Sequence, residues 1–435
     1  MTSGGTLAAV VGLGKIGLPL AIQFAGSGVA TTGLDINQTL VDGLNEGISP
    51  FDFEPELETR LRECLARGTF RATTDPREAL GEADFIVVVV PLVISEDKTP
   101  AFHALDAAAR TVGSALKPGA HVIFETTVPV GTTRGRLVPI LEEASGLKAG
   151  IDFGVAFSPE RVSSGRIFGD LRRYPKLVGG IDAGSAKAVA TFYESTLVFD
   201  PREDLKRPNG VWVLDSAEAA ELAKLAETTY RDVNIALANE FAAYAEKIGV
   251  DVWQVIEAAN SQPFSHIHHP GVAVGGHCIP VYPHLYLSTD PDARIPALAR
   301  TVNKAQPGRA LGRLAAEVGS LDGKTIAILG AAYRGNVKET AFSGVFDLVV
   351  EAKEMGAHPR VQDPMYTDDE LAALGFEPHH LGEPCDLAVI QADHPEYRKL
   401  RPEDLPGCRA LYDGRAIVDP EPWEGTSTSV LVVGR

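Results

Sequence analysis

The stretch Leu7-Ala8-Ala9-Val10-Val11-Gly12-Leu13-Gly14-Lys15-Ile16-Gly17 decides how this chain folds. Its opening apolar run predicts a buried strand, and Gly12-x-Gly14-x-x-Gly17 predicts a tight turn that opens a helix. Glycines so spaced let the backbone approach a pyrophosphate seated on the helix N-terminus, with Leu13, Lys15 and Ile16 beside it. Asp35 closes the next apolar run, Val29 to Leu34, 18 residues after Gly17. A carboxylate there accepts hydrogen bonds from the adenine-ribose hydroxyls and repels a 2′-phosphate, so the expected cofactor is NAD.

Working outward, apolar runs recur at Phe85 to Val90, His121 to Phe124, Gly154 to Phe157 and Lys176 to Val178. Alternating with helical patterns, they predict a parallel sheet wound on both faces. Pro201 to Gly210 reads as a polar linker. Ser216 to Ile248 contains neither Gly nor Pro and predicts one helix of about 33 residues, roughly 50 Å long. Asp215-x-x-Glu218 reads as its capping box and Gly249 as its stop. Beyond Leu321 a second series begins: Lys324 to Leu329, Pro359 to Gln362, Leu387 to Gln391, Ala410 to Tyr412 and Val430 to Val433. Its first turn, Gly330-Ala331-Ala332-Tyr333-Arg334-Gly335, lacks the triple-glycine spacing, so a ligand other than a dinucleotide is expected there. The fold class is therefore α/β, with two Rossmann-like doubly wound domains joined by a long central helix. The expected segments are 1–205, 206–315 and 316–435.

At 435 residues, 45% apolar and 23% charged, the chain has material for two or three domains with real cores. The net charge of -18 disfavours nucleic acid as a partner. No apolar run reaches the roughly 18–20 residues of a membrane span, and Met1-Thr2-Ser3-Gly4-Gly5 lacks the basic start of a secretory leader. A cytoplasmic location without membrane attachment is expected. Cys64, Cys278, Cys385 and Cys408 show no C-x-x-C spacing and read as reduced thiols.

Chemistry concentrates in Val274-Gly275-Gly276-His277-Cys278-Ile279-Pro280-Val281-Tyr282-Pro283. A free cysteine is most often a small buried hydrophobe. Here two glycines precede it and Pro280 follows, which predicts a tight, accessible turn, with His277 as a positive neighbour to lower the thiol pKa. Such a thiolate can trap a carbonyl formed when hydride passes to a nicotinamide. His266, His268, His269, His277 and Cys278 are zinc-type ligands, but adjacent histidines cannot readily turn both rings to one ion and the spacing fits no zinc module. No metal is expected. Lys224 and Thr228 lie one turn apart on one face of the long helix. Glu160, in Ser158-Pro159-Glu160-Arg161, follows a strand, where loop carboxylates of α/β sheets often face a ligand.

Together these residues resemble the UDP-glucose/GDP-mannose dehydrogenase family, most closely its UDP-N-acetylhexosamine 6-dehydrogenase branch. The likeness rests on the Gly12 turn, Leu44-Asn45-Glu46-Gly47-Ile48, Thr126-Thr127-Val128-Pro129-Val130-Gly131-Thr132 and Ser158-Pro159-Glu160-Arg161-Val162. It continues through Lys224-Leu225-Ala226-Glu227, Tyr230 to Glu240, Gly275 to Pro280, Arg300-Thr301-Val302-Asn303 and Asp413-Gly414-Arg415. The resemblance implies a dimeric, NAD-dependent oxidation of a nucleotide-sugar C6 alcohol to the acid through a cysteine thiohemiacetal and thioester. It implies Cys278 as nucleophile, Lys224 as the cation beside the oxyanion, Glu160 in thioester hydrolysis and Thr127 near the reactive carbon with a water. It further implies that Val90 and Thr127 border the cofactor. Arg161, Lys224, Asn234, His266, Gly275, Tyr333 and Arg334 would hold the nucleotide sugar.

The sequence also departs from the family. Thr228 replaces an asparagine of the oxyanion site, although it still donates one hydrogen bond. Tyr282 replaces an aspartate implicated as a base, and a phenol, ionising near pH ~10, is a poor base at neutrality. Phe264 and Ala341 stand where two substrate-binding arginines are expected, which leaves His266, His269, Lys338 and Arg334 as candidates to compensate. Leu92 removes a hydroxyl near the cofactor. These changes keep open a relative that stops at the aldehyde or epimerises its sugar, and a non-catalytic NAD-binding relative.

Overall fold

The structure, a computed structural model, describes residues 5–51, 54–95, 97–163 and 165–435. Residues 1–4, read above for a leader, lie outside them. The chain divides into two compact units, 1–226 and 227–435.

The first unit carries an eight-stranded sheet. Its strands are β1 (Leu7–Val11), β2 (Ala30–Leu34), β3 (Phe70–Thr73), β4 (Phe85–Val88), β7 (His121–Phe124), β8 (Gly154–Phe157), β9 (Lys176–Gly180) and β10 (Val211–Leu214). A separate ribbon pairs β5 (Val93–Ile94) with β6 (Pro100–Ala101). The order across the sheet is β10-β9-β8-β7-β4-β1-β2-β3, parallel throughout except between β8 and β9. Order reverses between β1 and β4, and ligands of such sheets sit beyond the strand ends at that reversal. The apolar runs are buried on both faces because helices cover both, and Leu18, Ile22, Phe24 and Tyr193 fill the core. Val89 and Val90 fall past the end of β4, leaving them half-buried in the loop beside the Gly12 turn.

The segment Pro201 to Gly210 does not end this sheet. Asn209 ties it back by donating to the carbonyls of Asp200 (2.8 Å) and Arg172 (2.9 Å), and Val211–Leu214 then adds β10 beside β9. This strand lies at the sheet edge and is partly exposed along its length, so it lacks the buried run that marks the others.

The long helix spans Ala217–Ile248, 32 residues, and Gly249 follows with φ 69°. Ser216, not Asp215, receives the capping hydrogen bond, from the Ala219 amide at 3.2 Å. The hydroxyl one residue nearer the helix reaches the third amide, as an N-cap does.

The second unit holds a parallel five-stranded sheet in the order β12-β11-β13-β14-β15. These are β11 (Thr325–Leu329), β12 (His358–Gln362), β13 (Leu387–Ile390), β14 (Ala410–Asp413) and β15 (Ser429–Val432). Its reversal point lies between β11 and β13, so the Gly330 to Gly335 turn leaves the sheet where a ligand is expected.

Candidate active site

The cofactor cradle is built by exclusion of side chains. A Cβ on Gly17 would fall 1.8 Å from the Gly12 carbonyl oxygen, and Gly12 has φ 90° with the Val89 carbonyl 2.8 Å from where its Cβ would stand. Gly14 meets nothing within 4 Å, so space is open at the one glycine aimed away from the fold. Leu13 is buried, its methyl groups filling the space a side chain on Gly33 would need, whereas Lys15 is exposed and Ile16 half-buried. Asp35 accepts from the amides of Leu13 (2.8 Å) and Asn37 (2.9 Å), one on each carboxylate oxygen. Each oxygen keeps a lone pair for a ribose hydroxyl. The cradle fits NAD. Across the switch point, the Thr126 hydroxyl donates to the Val90 carbonyl at 2.6 Å and fixes the loop on which Thr127 is buried.

Beneath that loop lies a cluster that the sequence reading did not anticipate. Lys176 Nζ sits 2.8 Å from Glu125 Oε2 and 2.8 Å from Glu160 Oε2, and the Tyr193 hydroxyl donates to Glu125 Oε1. Glu160 Oε1 also accepts from the amides of Arg161 (2.6 Å) and Val162 (3.2 Å). The Lys176 side chain is 4% exposed and that of Glu125 fully buried. Burial drives the Glu125 carboxyl up to about 7, against the pull of Lys176. Burial also raises Glu160, but the charge and hydrogen bond of Lys176, with the Arg161 amide, outweigh it and leave this carboxyl below its ordinary value. The available signal was a lone lysine opening a strand of otherwise apolar and glycine residues. Arg161 itself donates to the Pro175 carbonyl at 3.2 Å.

At the start of the long helix, Glu221 accepts from the amides of Gly131 (2.6 Å) and Thr133 (2.8 Å). This clamps the Val128 to Thr133 turn to the helix. Lys224, one turn further on the same face, is buried at 6% exposure.

The remaining predicted residues belong to the second unit. Gly276, at φ 96°, donates to the Ala341 carbonyl at 2.8 Å. A Cβ on Gly275 would stand 2.6 Å from that of Tyr333, so the cysteine turn packs directly on the turn after β11. Cys278 is half-buried, and its carbonyl accepts from the Tyr282 amide at 2.9 Å, where the short helix Tyr282–Leu287 begins. Arg334 donates to the Tyr333 hydroxyl at 3.2 Å. Thr228 is buried. Asn234 donates to the His266 carbonyl (2.8 Å) and accepts from the His268 amide (2.9 Å), so its amide shapes the loop that presents His266.

Several of the neighbouring side chains meet partners of their own. His277 Nε2 faces Glu339 Oε2 at 3.2 Å, so its ring has a carboxylate partner of its own. His269 packs on Trp253, with ring centroids 4.8 Å apart, and His268 meets the Tyr230 ring edge-on. Among the described residues no group of three or more His, Cys, Asp or Glu side chains could hold a metal ion. Lys338 is paired with Glu370 at 2.5 Å, and Phe264 is 92% exposed.

Residues 6–197, 218–306 and 327–420 match, in order, the NAD binding, central and UDP binding domains of the UDP-glucose/GDP-mannose dehydrogenase family. The chain belongs to this family. It is an NAD-dependent nucleotide-sugar dehydrogenase. A UDP-N-acetyl-D-mannosamine dehydrogenase from Pyrococcus horikoshii is 37% identical over 424 residues, 95% of this chain and 96% of the relative. An NDP-N-acetyl-D-galactosaminuronic acid dehydrogenase from Ralstonia solanacearum is 32% identical, covering 94% of this chain and 95% of the relative. The solved structure of the UDP-D-ManNAc dehydrogenase from Pyrococcus horikoshii superposes with TM-score 0.85 at 33% identity, over 99% of both chains. Among the described residues no helix is long and apolar enough to cross a membrane.

Proposed function

We propose that this dehydrogenase oxidises the C6 hydroxyl of a UDP-N-acetylhexosamine of the mannosamine type to the uronate, with Cys278 as covalent nucleophile. The observation that carries the reading is the cysteine turn, held by Gly276 and Pro280 and packed on the turn after β11. Bound NAD supplies the hydride acceptor for the two oxidations, on a cradle formed by Gly12 to Gly17, Asp35, Val90 and Thr127.

The chain's own groups do the rest. Lys224 places an ammonium at the oxygen where alkoxide charge develops, and Thr228 adds one hydrogen bond there. Cys278 adds to the aldehyde carbon, and its thioester is hydrolysed by a water that Thr127 positions and Glu160 deprotonates. Tyr282 contributes its hydroxyl at the position where the family carries an aspartate. Arg161, Asn234, His266, Gly275, Tyr333 and Arg334 hold the nucleotide sugar. In this reading segment 1–205 binds NAD, 206–315 carries catalytic and dimer contacts, and 316–435 binds the nucleotide.

A homodimer belongs to the same reading. Tyr230, Leu237, Phe241, Tyr244 and Ile248 form an exposed apolar stripe along one side of the long helix, a surface suited to a second copy. A cytoplasmic location would keep the four thiols reduced.

The test is incubation of the purified enzyme with UDP-N-acetylmannosamine and NAD. Two NADH per uronate are expected, with Cys278→Ser yielding no uronate. Absence of turnover on UDP-, GDP- and dTDP-sugars despite NAD binding overturns the proposal. Tyr282 favours one second reading, a reaction that stops at the aldehyde. Its signature is one NADH per sugar and no acyl-enzyme by mass spectrometry.

A further inference from the structure

Glu160 does not act alone. Its carboxylate is the outermost member of a chain that runs inward: Glu160, 11% exposed, then Lys176 at 4%, then Glu125 at 0%, and finally the Tyr193 hydroxyl. Both carboxyl groups lie on the one Lys176 ammonium, each at 2.8 Å. Two carboxylates and one ammonium leave this buried group one negative charge in excess. Uncompensated charge is costly away from water, and one proton cancels it.

We propose that Glu125 is a proton store for Glu160, and that Lys176 is the positioning residue holding the two carboxyl groups on one ammonium. The inference rests on the reading that Glu160 serves thioester hydrolysis. In that step water forms the new C–O bond, the C–S bond breaks, and the electron pair leaves on the Cys278 sulfur. The water proton passes to Glu160 and moves on to Glu125, which shares the Lys176 ammonium with it. Glu160 thereby regains its charge before the product leaves. When water re-enters, the proton returns to it through Glu160.

Among the described residues, Lys176 from β9, Glu160 from the loop after β8 and Tyr193 from helix Ala183–Thr196 are the titratable groups that face Glu125. Tyr193 is held well above the usual phenol range, by burial first and the Glu125 charge second, so it stays a donor. Burial lowers Lys176, but the two carboxylates more than restore it, so it stays a cation. Glu125, pushed up to about 7, is the member that changes charge near neutrality. The store is empty above that pH and full below it.

The experiment compares wild type, Glu125→Gln, Lys176→Arg and Glu160→Gln on UDP-N-acetylmannosamine, by NADH burst, steady-state pH profile and mass of quenched Cys278. Wild-type turnover should rise through an inflection near 7. Glu125→Gln should keep the burst, lose that inflection, accumulate acyl-enzyme and turn over roughly tenfold slower, a smaller loss than removing a direct acid–base group. Lys176→Arg, which preserves the clamp, should retain the inflection. An unchanged profile in Glu125→Gln overturns the proposal, as does a burst that falls in step with turnover. Loss of the inflection in Lys176→Arg overturns the clamp. Glu160→Gln separates the two readings. If it accumulates no acyl-enzyme, the hydrolytic role of Glu160 falls, and the proton store with it. If it accumulates acyl-enzyme while Glu125→Gln does not, only the store falls.

Discussion

Asp232 and Arg300 form a bidentate ion pair, at 2.6 and 2.7 Å, from which Arg300 reaches the Pro280 carbonyl at 3.2 Å. The cysteine turn is thereby anchored to the long helix by a charge pair rather than by packing alone. Asn303 adds to the anchor by donating to Asp232 Oδ1 at 2.8 Å. Asn239 donates to Asn303 at 3.0 Å and accepts from the Gly271 amide at 2.9 Å, tying down the approach to the turn.

Arg300→Met is therefore expected to cost about 3–5 kcal/mol, because Asp232 is left buried without its cation. Denaturant unfolding measures this. Adding Asp232→Asn should recover part of the stability. Turnover should not recover with it, since Pro280 remains without its donor. Recovery of both would show that the anchor serves folding only.

The fingerprint glycines should separate by role. Gly17→Ala forces a Cβ into the Gly12 carbonyl and should lower the melting temperature. Gly14→Ala meets open space and should leave the melting temperature unchanged while weakening NAD binding, measured by calorimetry. Equal melting losses in both variants would contradict this division.

Asp35→Asn keeps one acceptor but loses the charge. NAD affinity should fall about tenfold, or ~1.4 kcal/mol, and the preference against NADP should shrink, because repulsion of the 2′-phosphate is gone. Kd values for both cofactors decide it.

Glu125 should also mark the pH dependence of stability. Its folded pKa, about 7, lies above the ordinary carboxyl value of 4.5. The native state therefore binds the extra proton, and this contribution is complete below 4.5 and lost as pH rises through about 7. Relative to Glu125→Gln, wild type should lose about 3 kcal/mol across that window. Parallel stability curves for the two proteins would refute the assignment.

Much was legible in the chain itself. The strand, glycine turn and Asp35 were readable because each is a local demand: a backbone that must turn without side chains, and an acid at a strand end. The eleven strands of the two main sheets named from sequence were readable because apolar runs of that length suit burial on both faces. The tight turn around Cys278 was readable because its glycine and proline neighbours shape the backbone within a few residues.

What surrounds these residues was decided by tertiary structure. Lys176 and Glu125 are 51 positions apart, and Asp232 and Arg300 are 68 apart. Nothing local distinguishes these charges from solvated ones. Only the folding of the sheet buries Lys176 among carboxylates, and only the packing of helix Arg294–Lys304 brings Arg300 to Asp232. The sequence determined where the backbone turns and which runs are buried, since those depend on neighbours along the chain. The fold decided which charges lose their water and must find partners, since desolvation depends on neighbours in space.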